Sequence, residues 1–289
     1  MELSGWDAAA LCAKAVIYAS TLAAAGGVFF LIYSSPLLQE SQRGRIRRLI
    51  GILAVTSAVA CGARILLLAG SMSGDVAGMF DASLARMILN NGEGRATGLR
   101  IAGLALTALA LSSKTRALSY ALLGAVIAST SFAWVGHIHA LPSLIPSLGL
   151  SVHLLCAAFW LGALPPLLIV ARDGADSQIG IVAARFGKLA LTVVGLLLAA
   201  GAGILWALIG DASTFWSSEY GGMMAIKLLA AALLLCIAAA NKLYLTPRLL
   251  ARDAKAISLL RRSIRAEILC GGLILLVTAA FTSLTGPPH

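Results

Sequence analysis

The sequence predicts an all-α, polytopic membrane helix bundle of eight transmembrane helices, and two observations carry that prediction. Of the 289 residues, 60% are hydrophobic and only 12% are charged, with a mean hydropathy of +0.93. A soluble domain carries about a quarter charged residues, so half that share cannot clothe a water-facing surface. The second observation is spacing. Apolar segments recur along the chain, each near the roughly 20 residues that a bilayer requires. The same composition excludes disorder. The 29 Gly without a period and the five scattered Cys exclude collagen-like and disulfide-rich classes.

Span one covers residues 8–35. It reads as retained rather than as a cleaved signal, because Glu2 and Asp7 flank it where a signal peptide carries a basic region. Span two, 47–70, comes after Arg43 and Arg45 and opens on Arg47 and Arg48. Span three, 98–112, is short and meets span four, 116–136, across Ser112, Ser113 and Lys114. Span five, 147–170, carries His153 and contains the pair Pro165-Pro166. Spans six, seven and eight take 188–209, 221–243 and 263–284.

Alternate connections hold the basic residues. The links after spans one, three, five and seven carry sixteen of the 22 Lys and Arg, which marks that side as cytoplasmic and puts both termini outside. The net charge of +10 and pI near 9.8 are therefore topological, and no nucleic-acid partner is expected. Membrane lipid is the partner the composition implies.

Short similarities relate the two halves of this single transmembrane domain, 1–140 and 141–289. Gly26-Gly27 before the Pro36 exit matches Trp160-Leu161-Gly162 before Pro165-Pro166, and Arg100 in span three has a counterpart in Lys227 of span seven. Both halves start outside, so the expected arrangement is two parallel four-helix repeats.

Ionisable groups inside spans are functional candidates, because lipid-facing positions are apolar. Lys14, Arg64, Arg100, Lys227 and Glu267 qualify. Lys14, Arg100 and Lys227 lie near span ends, where snorkelling is the ordinary reading. Glu267 is expected to pair with Arg262 or Arg265. The histidines and methionines share one side. His137 and His139 end span four, and His153 sits about a turn and a half into span five. Met72, Met79 and Met87 follow span two, and Met223 and Met224 begin span seven. Imidazole with thioether is a donor set that suits copper, and Cu(I) in particular. At 100° per residue His153, Cys156 and Trp160 share one stripe of span five, which is expected to face the bundle interior with His137 approaching it. Trp160 would shield that site. No P-loop, nucleophile elbow or His-Glu-x-x-His is present, and no enzymatic activity is expected.

The stretch His153-Leu154-Leu155-Cys156-Ala157-Ala158-Phe159-Trp160-Leu161-Gly162 resembles the bacterial copper resistance D family of inner-membrane proteins. Val135-Gly136-His137, the run from Lys227 through Asn241-Lys242 to Pro247-Arg248, and Arg265-Ala266-Glu267 leading to Pro287-Pro288 extend the likeness over essentially the whole chain. Ala163 stands where the family often shows a second Gly. The resemblance implies a multi-pass protein of the bacterial inner membrane that moves copper from periplasm to cytoplasm. Members often work beside a periplasmic copper-binding protein. The chain ends five residues after span eight, so a separate copper donor is the expected partner. Another reading stays open: a haem b membrane redox protein with His137 and His153 as axial ligands. So does a membrane scaffold that docks a copper chaperone without transport.

Overall fold

The computed structural model describes residues 4–112, 117–136, 143–209 and 212–284, and these are helical with no strand among them. Helix α1 (Gly5–Ser34) opens on Ser4, whose side chain accepts from the Asp7 amide, and closes in a short 3-10 turn that holds Pro36. Helix α2 (Glu40–Ser73) begins with a reciprocal cap between Gln39 and Gln42. It stops at Gly74, whose φ of +82° is the left-handed geometry that favours glycine. Asp81 caps α3 (Ala82–Asn90), and its bonds from Ser83 hold its carboxyl below the usual range. Then come α4 (Gly92–Ser112) and α5 (Ala117–Thr130), the latter followed by a 3-10 turn.

Span five is broken. Helix α6 (Ile145–Gly162) stops at Ala163 and α7 (Leu164–Asp173) restarts, because Pro165 and Pro166 have no N–H to continue the ladder. Helix α8 runs Asp176–Leu208, and the short α9 (Ala212–Ser217) leads into α10 (Glu219–Ala240). A π turn at Asn241–Leu245 joins α10 to α11 (Thr246–Leu250), and α12 (Ala254–Leu284) follows.

Among the described residues, six stretches are long and apolar enough to cross a membrane: 5–37, 40–73, 145–173, 176–208, 219–250 and 255–284. Predicted spans three and four correspond to α4, which carries Glu93, Arg95 and Arg100, and to α5, an apolar helix shorter than the other six.

Helix α1 is central and packs on α2, α5, α6 and α12. Elsewhere α6 packs on α8, α4 on α5, α10 on α12, and α5 on α6. The α1–α6 crossing is a backbone contact. A Cβ at Gly26 would lie 2.0 Å from the Ala158 carbonyl oxygen, and one at Gly162 would lie 2.2 Å from that of Leu22. Without a hydrophobic drive between helices in lipid, such close contact is what holds them.

The two ends of the bundle differ. At one end Arg45 pairs with Asp173, Gln178 donates to Leu37 O at 2.6 Å, and Arg261 Nε donates to Ala171 O at 2.7 Å. These ties join the basic connections around residues 37–45, 171–178 and 261. At the other end Lys14 Nζ donates to Thr282 O at 3.0 Å and Ser283 Oγ at 3.1 Å. The start of α1 and the end of α12 therefore sit together, opposite the basic connections.

Candidate functional site

On α6 the predicted stripe faces inward: Cys156 and Trp160 are buried and His153 is half-buried. His153 Nδ1 lies 3.0 Å from the Leu197 carbonyl oxygen on α8. A carbonyl only accepts, so Nδ1 carries the proton and Nε2 keeps its lone pair. That tautomer, fixed by a backbone carbonyl, is the arrangement metal-binding histidines use. Gly201 makes room for the ring, since a Cβ there would stand 3.1 Å from His153 Cε1.

Lys227, on α10, is close enough to His153 to act on it electrostatically. Its Nζ sits 5.3 Å from the centre of the Phe281 ring, and among the described residues it has no hydrogen-bond acceptor. Met224 is buried with Phe215, Tyr220 and Phe281, with Met223 at the edge of that cluster. Met72 is exposed at the end of α2. His137 and His139 lie outside the described residues. Among those described, no group of three or more His, Cys, Asp or Glu is placed to hold a metal ion.

A second polar cluster ties α1, α2 and α4. Arg64 donates through Nε to Glu93 at 3.2 Å and through its terminal nitrogen to Ala10 O at 3.1 Å. Arg100 does not snorkel. It is 3% exposed, donates to Ser131 Oγ at 3.1 Å, reaches Cys61 Sγ at 3.9 Å, and lies 3.8 Å above the Phe132 ring. An intramembrane guanidinium is costly unless partnered in this way. Burial among three helices replaced the expected path to the interface.

Glu267 also departs from expectation. It is 4% exposed, and its carboxylate accepts from Asn241 Nδ2 rather than from Arg262 or Arg265. Those arginines lie on other faces of α12. Asn241 and Glu93 were the polar partners that sequence reasoning missed. Asn241 had a signal, a carboxamide inside an apolar run just ahead of Pro247.

A bundle of long apolar helices tied by buried polar groups defines a class, the multi-pass membrane proteins. Two family models match the chain: copper resistance protein D-like, N-terminal domain, over residues 5–142, and copper resistance protein D over residues 181–281. The chain belongs to the copper resistance D family. The comparisons with curated proteins and with solved structures gave no match.

Proposed function

We propose that this protein binds copper at the bundle end opposite the basic connections and moves it across the bacterial inner membrane. The carrying observation is His153, whose Nδ1 is held by the Leu197 carbonyl and whose Nε2 is left to bind. Cys156, one turn on, offers a soft second donor, and His137 from the preceding connection completes a low-coordinate Cu(I) site. Met72, Met223, Met224 and His139 then form the approach by which a separate periplasmic donor delivers the ion. Trp160 screens the site from the far half of the bundle.

The topology proposed with it has eight spans and both termini outside. The shared location of the basic connections supports it, as does the pairing of α1 with α12 at the other end. The proposed four-plus-four repeat has matching support. Helix α1 meets α6 at glycines, and the cross-contacts α1–α12 and α5–α6 are the pair that a pseudo-two-fold would exchange.

Two measurements test the function. His153→Ala is expected to lower copper binding by purified protein at least about tenfold, since the loss of even a group that only orients a ligand costs that much. Copper uptake into proteoliposomes is expected for the unsubstituted chain. Unchanged stoichiometry and affinity in the variant would overturn the site, and a stoichiometric Soret band would put haem b in place of copper. For the topology, single cysteines at Ser41 and Ser258 in a Cys-free background are expected to resist an impermeant thiol reagent. Ready labelling of both in intact cells would reverse the orientation.

A further inference from the structure

A cavity of about 300 Å³ opens between α8 and α10, at the half of the bundle nearer the basic connections. Its walls are apolar, Trp160, Val194 and Leu235 among them. Leu191 and Leu243 also line it and are 71% and 66% exposed, so it opens on the flank of the bundle, where lipid lies. Helices α8 and α10 do not pack closely on one another, which leaves the cleft.

One end of the cavity is polar, and its chemistry is unbalanced. Among the described residues Glu267 has a single hydrogen-bond partner, Asn241 Nδ2. An ionised carboxylate only accepts, so this bond orients the amide and leaves Asn241 Oδ1 as the other free acceptor. That oxygen is buried without a partner among the described residues. Buried acceptors without donors are costly, and each such exception in a structure calls for a missing partner. Asn241 opens the π turn, a distortion frequent at functional sites. Thr246 is not available as a donor to it, since its hydroxyl donates to the Asn241 carbonyl at 2.9 Å. Lys242 lines the same cavity but lies along α8, where a Cβ at Gly187 would be 3.6 Å from its Nζ. It forms no ion pair among the described residues.

Two free acceptors, the second Glu267 oxygen and Asn241 Oδ1, call for a cation with several N–H donors. A bare metal ion is opposed by Lys242 in the same cavity. A primary ammonium supplies three donors, and Lys242 then faces whatever anionic group the ligand carries next to it. The apolar cleft opening to lipid takes a hydrocarbon chain. We propose that this cavity binds one aminophospholipid of the membrane: the ethanolamine ammonium on Glu267 and Asn241 Oδ1, the phosphate on Lys242, and an acyl chain between α8 and α10. The volume is at the lower end of ligand cavities, which fits a headgroup and part of one chain.

The test uses the full chain reconstituted in nanodiscs containing equal parts of phosphatidylethanolamine, phosphatidylcholine and phosphatidylglycerol. Retained lipid is counted by native mass spectrometry after transfer to detergent. One phosphatidylethanolamine per chain is expected, because choline has no N–H and glycerol no positive charge. Glu267→Gln is expected to reduce its retention about tenfold, the scale of one charged hydrogen bond. Lys242→Met is expected to weaken retention of phosphatidylethanolamine without conferring preference for another lipid. If Glu267→Gln does not fold, Lys242→Met, at a partly exposed position, carries the test alone. Equal retention of the three lipids, retention of none, or phosphatidylethanolamine retention unchanged in the folded variants would overturn the proposal.

Discussion

Arg100 and Lys227 occupy comparable places in the two halves of the chain, each on the third predicted span of its half with its charge over a phenylalanine ring. Arg100 lies 3.8 Å from the Phe132 ring centre and has Ser131 and Cys61 as further partners. Lys227 lies 5.3 Å from the Phe281 ring centre and has no hydrogen-bond acceptor among the described residues. The first cation is structural glue between α2, α4 and the turn after α5. The second is nearly bare and stands within electrostatic range of His153. The two halves therefore use the same device to different ends. One half is tied shut around its charge, and the other keeps its charge available beside a histidine with a free lone pair.

The comparison breaks most severely if the halves are parted. Gly162→Val puts side-chain carbons where the Leu22 carbonyl already stands, within 2.2 Å of a Cβ. Backbone cannot yield there as a flexible side chain would. The expected outcome is loss of folded protein, seen as aggregation on size-exclusion chromatography in detergent. A monodisperse variant with unchanged melting would mean that the α1–α6 contact does not hold the halves together.

A smaller effect sharpens the contrast. Arg100→Met removes a charged hydrogen bond and a desolvated cation–π contact, and is expected to cost about 3 kcal/mol of stability. Thermal unfolding followed by the CPM thiol dye would show it, and Cys61 labelling is expected to rise as its neighbour leaves. A melting temperature equal to that of the parent would deny Arg100 its structural role.

The smallest effect on stability belongs to the other cation. Lys227→Met loses only a ring contact and the cost of a buried charge, which largely offset, so stability is expected to stay within about 1 kcal/mol. Copper affinity is expected to rise about tenfold, because a fixed positive charge near His153 opposes the incoming ion. Competition with a Cu(I) chelator reads this directly. A fall in affinity would mean that Lys227 assists the site.

The direction of the α6 stripe was legible because three residues of distinct chemistry, His153, Cys156 and Trp160, recur at helical spacing. Partner choice was not legible. Arg100 finds Cys61 and Ser131, 39 and 31 positions away, and Glu267 finds Asn241, 26 positions away, over arginines two and five positions off. Sequence proximity weighs little once a helix turns its neighbours to different faces.

The sequence by itself determined the class of the protein. Its long apolar runs demand helices in lipid, because only helices or closed barrels satisfy the backbone there. The alternation of its basic links separates the two ends of the bundle, and the stretch from His153 to Gly162 carries the family likeness. The tertiary structure alone decided which polar groups meet. A helix that is apolar all round has no stripe to announce its neighbours, so α1 gives little sign of facing α2, α5, α6 and α12. Close contacts such as Gly26 against Gly162 choose those faces. They thereby decide that Arg100 is enclosed, that Lys227 has the Phe281 ring but no hydrogen-bond acceptor among the described residues, and that a cleft lies open beside Glu267.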